Sequence, residues 1–279
     1  MLNELKAKHL YFRYMHTMEY GLLRTATMDT PFPITKEGKL AEIQDKGFCV
    51  LKGHFAPPVI QGCREAFWPI LLDYVERNHD KPNRGENRHF LAMPFEPPCF
   101  APEFFFDAEL LNIIRGAMDD CVIADQWGCD APVQGSKHQD FHVDYQRPLF
   151  PEVPNLSVPI YMLVVNFGLM DITKEHGPIE IAPGTHRMSR AEALRSITNR
   201  EIETQAVTLN SGDVLIRHPW ALHRGTPNAT DIPRALLTIR YVRHWYADCS
   251  REVNKIPFGV WQSLTPEQKS IMRFPIANG

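Results

Sequence analysis

The segment KHQDFHVDY, residues 137–145, concentrates side chains that can bind a metal ion. In an extended strand alternate side chains point to the same face, so one face of this segment would carry two histidines and two aspartates. These residues are His138, Asp140, His142 and Asp144. Two carboxylates and two imidazoles are costly to bury unless a positive charge compensates them. The pattern therefore predicts a metal site on this strand.

A second segment supplies candidates for a further ligand. In SGDVLIRHPWALHRG, residues 211–225, a turn and a short apolar strand are followed by His218 and His223. One or both of these histidines could face the same interior. Two histidines and one carboxylate form the facial triad of non-haem Fe(II) oxygenases, which leaves coordination positions open for a cosubstrate and O₂. Zinc accepts the same ligands, so the spacing alone leaves the metal open.

Arg234 favours the oxygenase interpretation. It follows His223 by eleven residues and begins the strand-like run ALLTIRYV. From this place its guanidinium could point into the interior beside the metal. A buried guanidinium fork needs a bidentate anion, such as a dicarboxylate cosubstrate.

The first third of the chain is predicted to be helical around one short strand. Apolar residues recur at helical spacing over residues 1–30 and 58–78, and residues 107–120 predict a further helix with Asp107 as its N-cap. The segment KGFCVLKGHF has the short apolar run of a strand. Residues 79–103 are rich in proline, asparagine and charge, which predicts an irregular surface loop.

After residue 120 the sequence changes to short apolar runs separated by turn residues. The runs are CVIADQWG, KHQDFHVDY, SVPIYMLVVNFGLMD, GPIEIAPGT, ETQAVTL, SGDVLIRHP and ALLTIRYVRHWY. Seven or eight short strands at this spacing indicate a sandwich or jelly roll, in which two sheets close over an apolar interior. Residues 189–201 predict an excursion between strands, and Thr265 predicts the N-cap of a last helix.

Four blocks of the sequence resemble, in order and spacing, those of the phytanoyl-CoA dioxygenase-like family of Fe(II)/2-oxoglutarate-dependent oxygenases. The blocks are HQDFHVD, HGPIEIAPGTH, GDVLIRHPWALHRGTPN and IPR, and the resemblance covers roughly residues 38–245. It implies a mainly β fold with flanking helices, namely a double-stranded β-helix (a jelly roll, cupin-like) with an N-terminal helical region packed outside. It also implies Fe(II), 2-oxoglutarate and O₂ as cofactor and cosubstrates, and usually the hydroxylation of a small molecule with release of succinate and CO₂.

The resemblance assigns the distal part of the site by position. It implies that His223 is the distal iron ligand and that Arg234 pairs with the C5 carboxylate of 2-oxoglutarate. Asn166 aligns with a position that contacts the cosubstrate and is often aromatic in the family. The family has a small hydroxyl residue two positions after the distal histidine, but this sequence has Gly225 there. The residue that would supply one hydrogen bond to the cosubstrate is therefore missing at that position.

The proximal ligand pair is ambiguous in the family pattern. Motifs of the form HQD would select His138 and Asp140, whereas motifs of the form Gln-x-x-His-x-Asp would select His142 and Asp144. We favour the second pair, because Gln139 then stands where that subgroup places a side-chain amide against 2-oxoglutarate. In this assignment His142, Asp144 and the distal histidine are the metal ligands and the catalytic centre.

The composition limits the classes of partner. Hydrophobic residues make up 44% of the chain and charged residues 23%, as in ordinary globular proteins, and 33 acidic against 30 basic side chains leave a net charge of −3. We therefore expect no nucleic-acid partner. No apolar run approaches the ~20 residues of a membrane span, and the charged N-terminal region is unlike a signal peptide. The six cysteines lack CxxC spacing, which indicates reduced thiols in a cytoplasmic protein.

These observations predict one dioxygenase domain over residues 1–279, with a mostly helical flank (1–120), a jelly-roll core (121–246) and a C-terminal extension (247–279). The predicted function is that of an Fe(II)- and 2-oxoglutarate-dependent dioxygenase acting on a small-molecule metabolite. One alternative is a cupin-like metalloenzyme that does not use 2-oxoglutarate, which would have no need for Arg234. The other is a catalytically silent binding protein, which would usually have lost a metal ligand.

Overall fold

Nine strands in two antiparallel sheets form the centre of the fold in the computed structural model, which describes residues 36–144, 149–150, 158–246 and 254–278. The strands are β1 (Phe48–Leu51), β2 (Arg88–Ala92), β3 (Val122–Pro132), β4 (Met162–Gly168), β5 (Ile179–Ile181), β6 (Gln205–Val207), β7 (Val214–Arg217), β8 (His223–Gly225) and β9 (Leu236–Arg243). The larger sheet has the order β1-β7-β4-β9-β3-β2, and the smaller one has the order β6-β5-β8. This is the double-stranded β-helix that the sequence predicted.

Helices flank the sheets, and their ends follow sequence signals. They are α1 (Lys36–Lys46), α2 (Pro57–Arg77), α3 (Pro102–Phe106), α4 (Ala108–Ala117), α5 (Arg190–Thr198), α6 (Phe258–Ser263) and α7 (Pro266–Ile271). The predicted N-cap of α4 is confirmed, since the Asp107 carboxylate accepts from the Leu110 N–H at 2.8 Å. The predicted cap of α7 is confirmed in the same way, with Thr265 accepting from Gln268 N–H at 3.2 Å. The helix predicted over residues 1–30 lies outside the described residues.

The larger sheet extends beyond the predicted core. Its two edges are β1 and β2, which both precede residue 121, so the predicted flank contributes the outermost strands as well as helices. The prediction of an irregular loop over residues 79–103 was wrong for β2, because the run RHFLA pairs with β3 along its whole length. Proline and charge on either side of this run obscured its apolar residues. At the other end of the chain, Arg273 N–H donates to Ala124 O at 2.8 Å and joins the C-terminal extension to β3.

The segment KHQDFHVDY does not form the regular strand that was predicted. Its described part joins the smaller sheet through an isolated antiparallel bridge between His142 and His223, and through a hydrogen bond from Gln139 N–H to Gly225 O at 3.0 Å. The prediction also missed β8, whose three residues are too few to show a period. The prediction that alternate side chains of this segment lie on one face therefore holds only near the bridge.

Aromatic side chains fill the space between the larger sheet and the helices. The ring of Phe104 lies 4.8 Å from that of Phe167 and 6.0 Å from that of Trp127, measured between centroids. All three side chains are almost wholly buried. Helices α2 and α3 bury their apolar faces in the same core and so cover the outer face of the larger sheet. The inner face of that sheet points towards the smaller sheet. No helix in the described part of the chain is long and apolar enough to cross a membrane.

His218 fastens the end of β7 to the turn that precedes β1. Its backbone N–H donates to Gly47 O at 2.7 Å, and its Nδ1 accepts from the Trp220 N–H at 3.2 Å. Burial, with a smaller contribution from nearby His186, lowers the pKa of His218 to about 3. The ring therefore stays neutral in the folded protein, with its proton on Nε2.

We expect the folded state to lose stability as the pH falls from about 6.5 towards about 3, because the unfolded chain takes up a proton at His218 that the native protein does not. This residue should remove up to about 1.4 kcal/mol of unfolding free energy per pH unit in that window. In His218→Asn the side-chain oxygen can keep the Trp220 bond without titrating. Urea unfolding of both proteins across the window measures the difference, and parallel pH profiles would contradict the assignment.

Candidate metal centre

Three of the predicted ligands come together at one end of the smaller sheet. The potential ligand atoms of His142, Asp144 and His223 all lie within 4.8 Å of one another. The two histidines are bridge partners whose ring centroids are 4.6 Å apart, and Asp144 Oδ1 lies 3.4 Å from His223 Nε2. Backbone pairing thus brings a residue of β8 to a motif that is distant in the sequence.

Backbone carbonyls fix the orientation of both imidazoles. His142 Nδ1 lies 2.8 Å from Asp140 O, and His223 Nδ1 lies 2.9 Å from Ala221 O. A carbonyl oxygen only accepts, so each Nδ1 is the donor and each Nε2 is the ring nitrogen that faces the other ligands. A second hydrogen bond of this kind is typical of histidines that bind metals, because it sets their tautomer and ring orientation.

The charges of the site suit a divalent cation. Burial lowers the pKa of His142, and neighbouring His223 lowers it further, so His142 is neutral at neutral pH. Burial would raise the pKa of Asp144, but the Arg217 guanidinium and His223 outweigh it and hold that pKa well below its ordinary value. Two imidazoles and one carboxylate are the donor set of the Fe(II) facial triad. The residues present therefore fit the metal that the sequence predicted.

The other histidine and aspartate of the segment lie elsewhere. The described residues contain one group of three or more side chains able to hold a metal, and neither His138 nor Asp140 belongs to it. Both residues are exposed. Asp140 contributes to the site through its backbone carbonyl, which orients His142.

The triad opens into a cavity of about 120 Å³ between the two sheets. Two residues predicted to contact a cosubstrate, Gln139 and Asn166, line this cavity. The Gln139 amide oxygen accepts from Gly225 N–H at 2.9 Å, and its nitrogen donates to Arg84 O at 2.9 Å. The Asn166 amide nitrogen donates to Thr238 Oγ1 at 2.8 Å. Both amides are therefore held in fixed orientations at the cavity wall.

Arg234 lies deeper than the sequence suggested. Its side chain is fully buried, donates to Gly177 O and pairs with the carboxylate of Asp130, and it is Asp130 that lines the cavity. The Nε of Arg234 is buried without a hydrogen-bond partner among the described residues. Sequence reasoning missed Asp130, although an aspartate near the end of a largely apolar strand was a signal for it.

Arg88 lies in the stretch that was predicted to be a surface loop, but it is 1% exposed. Its guanidinium donates to Lys137 O at 2.8 Å and to Thr226 O at 2.5 Å, and its Nη1 is buried without a partner among the described residues. Burial lowers the pKa of Arg88 to about 10, against the opposing effect of Asp130. A Cβ at Gly225 would fall on Arg88 Nη1 and lie only 2.9 Å from the Gln139 amide oxygen. The glycine that departs from the family pattern thus makes room for this guanidinium.

The comparison with protein families decides what kind of protein this is. The sequence model of the family described as phytanoyl-CoA dioxygenase (PhyH) matches residues 43–236. The chain belongs to the PhyH family. The triad fits that family's metal, so Fe(II), 2-oxoglutarate and O₂ are the cofactor and cosubstrates of this PhyH protein, and it is an oxygenase-type enzyme.

Solved structures share the fold of this PhyH protein. The 2-oxoglutarate-dependent carbocyclase SnoK of nogalamycin biosynthesis is 16% identical with a TM-score of 0.57, over 76% of this chain and 87% of that one. The epimerase SnoN, solved with Fe3+, alpha ketoglutarate and nogalamycin RO, is 15% identical with a TM-score of 0.57, over 80% and 95% of the two chains. EctD from S. alaskensis, solved with bound Fe, is 20% identical with a TM-score of 0.56, over 79% and 80%.

The fit between Gly225 and Arg88 predicts a measurable coupling. Gly225→Ser should displace the buried guanidinium and lower the free energy of unfolding by about 1 to 3 kcal/mol, since the new atoms overfill a packed site. Gly225→Ser combined with Arg88→Ala should cost less than the two single changes added together. Urea unfolding of the four proteins gives the coupling. Gly259→Ser is the control, because a Cβ there meets nothing within 4 Å, and additive effects at 225 and 88 would refute the packing argument.

Proposed function

We propose that this PhyH protein is an Fe(II)- and 2-oxoglutarate-dependent dioxygenase that hydroxylates a small-molecule metabolite, with release of succinate and CO₂. The observation that carries the proposal is the triad itself, in which two imidazoles and a carboxylate meet at the wall of an open cavity. The walls of this cavity carry the polar side chains of Gln139, Asn166 and Arg217, which can fix the orientation of a bound small molecule.

His142, Asp144 and His223 are the proposed iron ligands. The carbonyls of Asp140 and Ala221 hold each Nε2 ready for the metal, so that little reorganisation is needed on binding. When bound, Fe(II) together with 2-oxoglutarate and O₂ supplies the oxidant. The protein's own side chains orient the two ligands and exclude water around them.

The proposed 2-oxoglutarate site includes Arg234, Gln139 and Asn166. The Nε of Arg234 and the Nη1 of Arg88 are both buried polar atoms without a partner among the described residues. Buried guanidinium groups need acceptors, and the carboxylate of Asp130 offsets only one of these two positive charges. A distal carboxylate of the cosubstrate would offset the second, which supports a dicarboxylate over a neutral ligand.

The ligand assignment is tested by a pair of neighbouring substitutions. His142→Ala should abolish stoichiometric Fe(II) binding and iron-dependent succinate release, because it removes one of three protein ligands. Asp140→Ala is the matched control and should leave iron affinity within about 2-fold, since only the backbone of Asp140 reaches the site. Iron content after anaerobic loading and succinate release over a metabolite panel are the measurements. The reverse pattern would transfer the ligand role to His138 and Asp140.

The cosubstrate assignment is tested at Arg234. Loss of one partner of a buried hydrogen-bonded charge pair costs ~2 to 5 kcal/mol, so Arg234→Ala should weaken 2-oxoglutarate binding roughly 30-fold or more. Arg234→Lys should recover only part of this, because an ammonium cannot form two parallel hydrogen bonds to a carboxylate. Iron occupancy should be unchanged.

The readout at Arg234 is an anaerobic 2-oxoglutarate titration of the iron-loaded variants, with thermal unfolding as a check that they fold. An Arg234→Ala protein with full iron and wild-type 2-oxoglutarate affinity would favour the cupin-like metalloenzyme instead.

A further inference from the structure

A row of three polar side chains crosses the cavity wall beside the triad. Arg217, Asn166 and Thr238 stand on β7, β4 and β9, which are neighbouring strands of the larger sheet, and all three line the cavity. Arg217 Nε donates to Asn166 Oδ1 at 3.0 Å, and the Asn166 amide nitrogen donates to Thr238 Oγ1 at 2.8 Å. The bonds hold the guanidinium in a fixed position. Arg217 is the one charged residue of β7, whose other three residues are apolar.

Arg217 also contacts the proposed metal ligand Asp144. Its Nη1 donates to Asp144 Oδ2 at 2.7 Å, which leaves Oδ1 as the oxygen beside His223 Nε2. The described contacts of Arg217 use one N–H of Nε and one of Nη1, so the end of the guanidinium formed by Nη1 and Nη2 keeps further donors. That end is the part of the fork that binds both oxygens of a carboxylate.

Charge points to an anion as the ligand of this end. Arg217 is only 6% exposed, so its charge is poorly screened by solvent. Asp144 neutralises it in the absence of a cation. If a divalent cation binds to Asp144, the negative charge of this carboxylate also offsets the charge of the cation. The positive charge of Arg217 is then no longer balanced by its neighbour. A neutral ligand would leave this buried charge without compensation.

We propose that Arg217 binds a second carboxylate adjacent to the metal, with Asn166 and Thr238 holding its guanidinium in place. This subsite shares Asn166 with the proposed 2-oxoglutarate site and does not include Arg234. This inference rests on the proposed function and adds a ligand-binding subsite to it. The carboxylate that Arg217 binds is either the C1 carboxylate of 2-oxoglutarate or a carboxylate of the primary substrate. Both have the same chemistry, and the experiment separates them.

The test compares Arg217→Met, which keeps the length but removes the charge, with Arg217→Lys and with the control Arg224→Met. Arg224 pairs with Glu180 and is not among the described residues that line the cavity. Each protein is loaded with saturating Fe(II) without oxygen, its iron content is measured, and thermal unfolding confirms that it folds. The probes are 2-oxoglutarate and 2-oxobutyrate, which has the same keto-carboxylate end but no distal carboxylate. Binding is followed by the charge-transfer absorbance of the iron.

If the C1 carboxylate is the ligand, Arg217→Met should weaken both probes by a similar factor, roughly 10- to 100-fold, with partial rescue by lysine. Arg234→Ala should weaken only 2-oxoglutarate. If the substrate carboxylate is the ligand, both titrations should stay at wild-type affinity. Butyrate added to the complex of iron and 2-oxoglutarate should then shift the charge-transfer absorbance of the wild-type protein. The Arg217→Met protein should need a roughly 10-fold or higher butyrate concentration for the same shift.

Wild-type affinity of Arg217→Met for all three probes, or an equal loss in Arg224→Met, would overturn the subsite and leave Arg217 as a residue that only supports Asp144. The proposed function fails differently. A wild-type protein that holds iron but does not bind 2-oxoglutarate would refute it, while the 2-oxobutyrate titration of the same protein would still test whether Arg217 binds a carboxylate beside the metal.

Discussion

The site depends on one pair of backbone hydrogen bonds. His142 N–H donates to His223 O at 2.9 Å, and His223 N–H donates to His142 O at 3.0 Å. This bridge sets both imidazoles side by side, and Asp144, two residues on, joins them because side chains two apart share a face. Further bonds, from Gln139 N–H to Gly225 O and from Asp144 N–H to Pro219 O, hold the segment on either side of the bridge. The metal centre is thus a consequence of strand pairing.

Charge is the second constraint on the interior. Three buried or nearly buried arginines of the larger sheet and its margins each have a carboxylate partner. These pairs are Arg217 with Asp144, Arg234 with Asp130, and Arg240 with Asp125. A buried ion pair adds little stability of its own, but removing one partner is costly. Asp144 and Asp130 line the cavity, so any ligand or cation that binds there changes the balance of their pairs. Metal binding is therefore coupled, through these carboxylates, to the positions of the arginines that pair with them.

The sequence predicted the features that have a local signature. Strand runs after residue 120, the caps Asp107 and Thr265, and the HxD motif all follow from spacing and residue type. Strand β2 was missed because prolines and charged residues surround a run of only five residues. The sequence favoured His142 over His138 only through the family resemblance at Gln139. The bridge that sets His142 opposite His223 is a tertiary contact with no local signature.

The charged residues of the interior were the least predictable part. The sequence around Arg88 predicts a loop, and only the pairing of β2 with β3 shows that Arg88 lies in a strand. Its guanidinium fits because Gly225, on a distant strand, has no side chain. Arg217 stands in a run that otherwise predicts a core strand, and only the register of β7 against β4 shows that it reaches Asn166. Such contacts depend on tertiary structure, and neither composition nor periodicity encodes them.

The most direct test of the account is an anaerobic titration of the wild-type protein with Fe(II) and then with 2-oxoglutarate. The account predicts one iron per chain and, on addition of 2-oxoglutarate, a saturable visible charge-transfer absorbance that needs both components. A protein that holds one iron and shows no such absorbance at any 2-oxoglutarate concentration would contradict it.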